Sequence, residues 1–255
     1  MTATPAGMTS ADYLKLDQLL TAQQPRSDLH DEMLFIVIHQ TKELWMKQML
    51  HELELAVALV QASRLAEAYK AMARISRIQA VMTLSWDVLS TLTPVDYLKF
   101  RDVLGTSSGF QSAQFRELEF RLGLKEPNFV NHYDSGTPER GGLEKALSEP
   151  SLREVSHQAL ERAGFDLGDR SVEAIAAAWL EVYRDADRWF ELYELAEKLV
   201  DIDDALAGWR HKHVLTVERI IGNKQGTGGS AGAPYLRATL DKRVFPELWA
   251  LRTDL

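Results

Sequence analysis

The 255-residue chain has no cysteine. Disulfides are therefore excluded, as are zinc sites with thiolate ligands, thiolate-held metal centres and cofactors attached through Cys-x-x-Cys-His. A reducing compartment fits this composition. Positive charge is in deficit: 29 Lys and Arg stand against 37 Asp and Glu, giving a net charge of −8 and a pI near 5.4. Nucleic-acid binding relies on clustered Lys and Arg, so no such partner is expected. No run reaches the roughly 18 apolar residues that a bilayer span requires. The opening stretch, Met1 to Asp12, has neither the basic segment nor the apolar core of a secretory leader. The cytoplasm is the expected location, with no membrane partner. Strand-like alternation, internal repeats and long linkers are also missing, so one domain over residues 1–255 is expected.

What the chain does have is helical periodicity and apolar residues at 45%. Asp31 to Gln61 carries Met33, Leu34, Ile38, Trp45, Met49, Leu53 and Val57 at spacings of three and four. Ser63 is placed to cap a second helix reaching about Leu92. Thr93-Pro94 is a capping hydroxyl followed by proline at the first helical position, predicting a helix to Leu104. After the Gly/Ser segment Gly105 to Gly109, a fourth helix runs to about Gly123. Lys125 to Gly142, rich in Pro, Asn and Gly, reads as a long loop. Shorter helices are expected between Gly142 and Ala163, and strongly periodic ones over Ser171 to Val200 and Asp203 to Ile221. Gly222 to Gly232 is glycine-rich, and a last helix covers Tyr235 to Leu240. The fold class is all-α, a helical bundle-like single domain.

Among seven histidines, His213 lies on the stripe Leu206, Trp209, His213, Val217, Ile220, which turns its imidazole to the buried face. His211 is about 200° round the same helix at roughly 100° per residue, so the two cannot chelate one metal. A single inward histidine suits a five-coordinate haem, which needs one proximal nitrogen and an open position; the plainer alternative is a core histidine bonded to a carbonyl. His39 follows Phe35 by four among Ile36, Val37 and Ile38. It could receive a substrate N–H, or be a satisfied core residue. Arg101 follows Tyr97 by four beside Phe100, as a carboxylate clamp would; a surface ion pair with Asp96 or Asp102 is the alternative.

The string Gly226-Thr227-Gly228-Gly229-Ser230 lacks the lysine of a phosphate-binding loop. It can close over a ligand or simply connect. Ser107-Ser108-Gly109-Phe110-Gln111 reads as a helix start with capping serines, where small residues would also let a flat cofactor approach. A di-iron bundle would need two Glu-x-x-His motifs; only Glu154 with His157 fits.

These strings together resemble the tryptophan 2,3-dioxygenase family. The carriers are Tyr13-Leu14-Lys15-Leu16-Asp17, Asp31-Glu32-Met33-Leu34-Phe35-Ile36, His39-Gln40-Thr41-Lys42-Glu43-Leu44-Trp45, Phe100 to Gly105, Ser107 to Ser112, Trp209-Arg210 followed by His213, and Gly226 to Ser230. The resemblance covers about Tyr13 to Arg252 and is weakest between Lys125 and Ser171. It implies an all-helical, haem b-dependent homotetramer that opens the indole ring of L-tryptophan with dioxygen to give N-formyl-L-kynurenine. By the same matching, His213 is the proximal iron ligand and His39 hydrogen-bonds the indole N–H. Arg101 clamps the carboxylate, Thr227 contacts the amino-acid end, and Phe35 and Tyr97 line the pocket. Tyr13 and Leu14 reach it from a neighbouring subunit, and Ser108 and Gly109 lie against the haem.

Two positions depart from the pattern: Ser10 stands where a tyrosine is common, and Phe115 where some bacterial members have tyrosine. The first puts strict preference for unsubstituted tryptophan in question, leaving a haem monooxygenase of substituted tryptophans as the alternative. A non-catalytic haem-binding or oxygen-sensing protein is the alternative from another class, though it would have no use for an amino-acid clamp.

The helical stripe makes a prediction. His213→Ala loses stoichiometric haem or its five-coordinate ferrous spectrum, whereas His211→Ala keeps both, as read by absorbance of the reconstituted, reduced variants. The reverse pattern overturns the assignment.

Overall fold

A computed structural model describes residues 7–255. The part of the N-terminal reading that falls on Met1 to Ala6 lies outside the described residues. Twelve α-helices and no strand occur among those described. They are α1 (Ser10–Leu14), α2 (Leu16–Leu19), α3 (His30–Gln61), α4 (Leu65–Leu89), α5 (Pro94–Phe100), α6 (Ala113–Leu122), α7 (Pro138–Ser148), α8 (Leu152–Arg162), α9 (Val172–Arg184), α10 (Phe190–Ile221), α11 (Ala233–Arg237) and α12 (Pro246–Ala250). Short 3₁₀ turns follow α5 at Arg101–Leu104, precede α6 at Gly109–Gln111, and occur at Pro127–His132 and Leu251–Thr253.

Three long helices form the frame. α4 packs lengthwise against both α3 and α10. Its inward face is Leu65, Ala68, Met72, Ile75, Met82, Trp86 and Leu89, spaced for one side of a helix. α3 answers with Ile38, Met46, Met49, Leu53, Ala56 and Val60. The main core runs through all three and on to α5, α6, α8, α9 and α12, while Phe120, Val130, Leu143 and Ala146 form a small satellite between α6 and α7. No helix is long and apolar enough to cross a membrane among the described residues.

Several boundaries differ from the sequence reading. Ser63 closes α3 instead of opening α4. Its φ is +57°, and the Arg64 N–H reaches back to the Leu59 carbonyl at 2.9 Å, a left-handed helix terminus. The helix opened by Thr93 tightens to 3₁₀ after Phe100. The expected loop Lys125 to Gly142 contains a 3₁₀ turn and the capped start of α7 at Thr137. The last expected helix sits at Ala233–Arg237, and α12 was not foreseen.

The largest correction is the break expected between Val200 and Asp203. The chain is helical throughout Phe190–Ile221, and the interruption falls at residues 185–189. Aspartate disfavours helix interiors because its carboxylate competes for nearby backbone. Here Asp203 is fully buried and committed elsewhere. It accepts from the Val244 N–H (3.1 and 3.0 Å), the Phe245 N–H (3.1 Å) and the Trp249 indole N–H (3.0 Å). One carboxylate thus fastens the C-terminal segment to α10.

Asp203→Ala strands two buried backbone donors and the half-buried Trp249 indole N–H at once. Each unsatisfied group costs about 1–3 kcal/mol, so a loss of roughly 3 kcal/mol or more is expected in urea unfolding, with faster hydrogen exchange over residues 244–253. An unchanged midpoint would show that the C-terminal segment is held by its apolar contacts alone.

Candidate active site

Between α3, α4 and α10 lies a cavity of about 1080 Å³. Single small-molecule sites usually occupy roughly 300–1,000 Å³, so there is room here for a cofactor and a substrate together. α3 contributes Phe35, His39 and Lys42, α4 contributes Trp86, and α10 contributes Trp209 and His213. The mouth is formed by the segment around Ser108 and Gly109 and by the glycine-rich loop carrying Thr227.

The two imidazoles are held differently. His39 Nδ1 lies 2.7 Å from the Phe35 carbonyl oxygen, one turn earlier, with the two rings 4.1 Å apart. A carbonyl can only accept, so Nδ1 carries the proton and Nε2 keeps a free lone pair. Burial pushes the His39 pKa down to about 4 against that hydrogen bond, and the charge of Lys42 adds to the fall. His213 makes no hydrogen bond among the described residues. Its ring stacks on Trp86 with centroids 4.3 Å apart and planes within 10° of parallel. Burial, then Lys42 and His39, lower its pKa to about 3. Both are neutral bases near pH 7, the state in which imidazole can bind a metal or accept a proton. His211, by contrast, is exposed and bonded to the Ala207 carbonyl.

Lys42 lies in the cavity wall at 5% exposure, its pKa brought down to about 6 by burial. On the far wall Glu119 takes Arg116 (2.7 Å) and Arg210 (2.8 Å), all three buried. Phe115 stacks on Trp209 with rings 5.0 Å apart. The buried donors Lys42 Nζ, Trp86 Nε1 and Trp209 Nε1 have no partner among the described residues.

Tyr97 is buried, with its ring 6.0 Å from Phe35. Arg101 begins the 3₁₀ turn after α5 and is not itself among the cavity-lining residues, although Val103 and Leu104 of the same turn are. Among the described residues it has no carboxylate partner; Asp96 pairs with Lys99 instead, and the Arg101 guanidinium donates to the Gln225 carbonyl. Thr227 donates to the Ser107 carbonyl, tying the glycine-rich loop to the Ser108 segment. Ser108 caps its turn: its hydroxyl accepts from the Phe110 N–H, and its own N–H donates to the Gln111 side-chain oxygen. The loops are in close contact: a Cβ on Gly228 would sit 2.5 Å from Ser108 Cβ. Tyr13 and Leu14 are not part of this chain's cavity. They lie on α1, a helix with no buried residue, at 74% and 53% exposure, and Ser10 opens the same helix.

Trp86 and Lys42 went unrecognised as site residues in the sequence. Trp86 carries no local signal, because its role comes from α10 lying alongside α4. Lys42 does carry one: a lysine three residues past His39, in the apolar stripe Ile38, Met46, Met49.

A haem fits these residues. No group of three His, Cys, Asp or Glu side chains able to hold a bare metal occurs among the described residues. A metal bound by His213 would therefore bring its remaining ligands with it, as a macrocycle does. The aromatic walls suit a flat apolar ring system, and the unpartnered buried donors suit its acidic edge.

Fold and cavity define an all-helical protein with a large, aromatic, histidine-bearing cavity. The chain belongs to the tryptophan 2,3-dioxygenase family, whose model matches residues 1–167 and 151–255. It is therefore an oxidoreductase. It is 58% identical over 259 aligned positions to the tryptophan 2,3-dioxygenase of Caulobacter vibrioides, covering 97% of this chain and 98% of that protein. It is 50% identical to that of Bacillus thuringiensis strain Al Hakam (97% and 93%) and 48% identical to that of Shewanella woodyi (97% and 91%).

Depressed histidines link stability to pH. A His whose folded pKa lies below its unfolded value of about 6.5 gives up stability as pH falls, because the unfolded chain binds the proton first. The cofactor-free protein is expected to weaken from pH 6.5 down toward pH 4. The slope approaches but does not reach about 1.4 kcal/mol per pH unit for each histidine, since water in the cavity softens the penalty. His39→Phe should flatten the slope in urea titrations at successive pH values. An equally steep slope in that variant would remove His39 as a source.

Proposed function

We propose that this protein is a haem b-dependent enzyme that oxidises L-tryptophan with dioxygen. The indole C2–C3 bond breaks and each carbon takes one oxygen atom, giving N-formyl-L-kynurenine with no external reductant. The observation that carries this reading is the pairing, in one cavity, of a neutral unbonded imidazole at His213 with a neutral, correctly tautomerised imidazole at His39, in a chain of this family.

The haem, when bound, supplies the redox-active iron and the oxygen chemistry. His213 would hold it, with Ser108 and Gly109 against it. The protein's own part is positioning. His39 Nε2 accepts the indole N–H and sets the ring's orientation, because Phe35 fixes the proton on Nδ1. Phe35 and Tyr97 enclose the indole. Arg101 turns from the Gln225 carbonyl to the substrate carboxylate, to which a guanidinium donates two parallel hydrogen bonds. Thr227 holds the amino-acid end, and its present bond to Ser107 shows that the loop already reaches across the mouth. Exclusion of water follows from that closure.

The same proposal includes a cytoplasmic homotetramer in which Tyr13 and Leu14 complete a neighbour's pocket. Two large side chains left uncovered on a short helix support it.

Arg101→Lys is expected to lose roughly 30-fold to several-thousand-fold in kcat/KM for L-tryptophan, the equivalent of losing a buried charge partner worth about 2–5 kcal/mol, while its haem spectrum stays normal. Thr227→Ala loses less, because one hydroxyl contributes about 0.5–1.5 kcal/mol. Tryptamine, lacking the carboxylate, should be a poor substrate for the wild type and be discriminated far less by Arg101→Lys. Steady-state kinetics of N-formylkynurenine formation checks all three. Wild-type turnover of tryptamine at the tryptophan rate would remove the clamp.

A further inference from the structure

Three charged side chains are buried on α3. Glu32 receives the Arg26 and Ser27 amides and the Ser27 hydroxyl, and Glu52 receives Arg74 and Gln48. Lys42 donates to nothing comparable. Its Nζ lies 2.7 Å from the centroid of the Trp86 ring and has no hydrogen-bond partner among the described residues. The other carboxylates lining the cavity are engaged: Glu43 with the Gln114 amide at 2.7 Å, and Glu119 with two arginines. An amino group over an indole face recovers only part of the hydration it has in water, in either protonation state. The cavity therefore holds a buried donor for which the described residues supply no anion.

We propose that Lys42 receives a carboxylate of the cofactor, haem b carrying two on its edge, and so anchors the group that His213 holds. This rests on the haem reading given under Proposed function. The placement follows from Trp86, which stacks on His213 and is covered by Lys42, so a group at His213 comes within reach of the lysine. The amino acid's carboxylate is the other anion to enter, and the function proposed above assigns it to Arg101. In the cofactor-free chain the Lys42 amine rests on Trp86 as a stand-in contact.

The test is a spectroscopic titration of the cofactor-free protein with haem and with haem dimethyl ester, whose carboxylates are blocked, with no amino acid present. Wild type is expected to bind haem at least about ten-fold more tightly than the ester. Lys42→Met should bind the two within about three-fold of each other, and Lys42→Arg should keep the preference. Lys42→Gln repeats the comparison with polarity kept and charge removed. Lys42→Met should also raise the melting temperature of the cofactor-free chain, since a buried, unpartnered amine is gone. In the haem-loaded variant, L-tryptophan affinity should match the wild type. Equal binding of haem and ester by wild type, or an undiminished preference in Lys42→Met and Lys42→Gln, overturns the proposal while leaving the haem reading intact. Loss of tryptophan affinity with the haem preference unchanged overturns it in favour of the substrate carboxylate. Failure of wild type to bind either compound overturns the haem reading as well.

Discussion

Trp86 lies flat against His213 on one helix and under Lys42 from another. These two contacts join α3, α4 and α10 at the level of the cavity, and the site depends on them. Stacking fixes the plane of the His213 ring without using either nitrogen, which leaves both free. A hydrogen bond of the kind that holds His39 would have fixed the ring by consuming a nitrogen. Different restraints on chemically identical side chains thus give them different capabilities.

The cost of this arrangement is desolvation. Three bases, His39, Lys42 and His213, are crowded into one apolar enclosure, and each is pushed toward its neutral form. They also oppose one another's protonation, so a proton taken by one raises the cost for the others. Carboxylates that could have relieved them are engaged by amides and arginines. A protein selected for stability alone would fill such a space with leucine. Retaining basic groups there is the pattern expected of a binding and catalytic cavity.

The mouth is governed by close backbone approach. Gly228 meets Ser108 where a side chain would collide, and Gly232, at a φ of +68°, passes so near the Lys224 carbonyl that a Cβ would lie 2.4 Å from its oxygen. The glycine-rich loop is thus folded on itself and against the Ser108 segment, with Thr227 bridging them. Glycine serves here for fit, and the mobility that the composition suggests is compatible with a loop that docks.

Local periodicity determined the helices, because burying one stripe requires spacings of three and four whatever the partner. It also turned His213 inward and His211 outward. The resemblance added roles that no spacing supplies. Sequence went wrong where a residue's local preference was overruled from a distance. Asp203 sits mid-helix because Val244, Phe245 and Trp249 claim its carboxylate, and Ser63 takes a left-handed turn because α3 must reverse into α4. Only the tertiary structure decided that Trp86 would back His213, that Lys42 would be left without an anion, and that Arg101 would wait on the Gln225 carbonyl. Each of these is a meeting between elements far apart in the chain, and a local pattern records which face a residue is on but not what it will face.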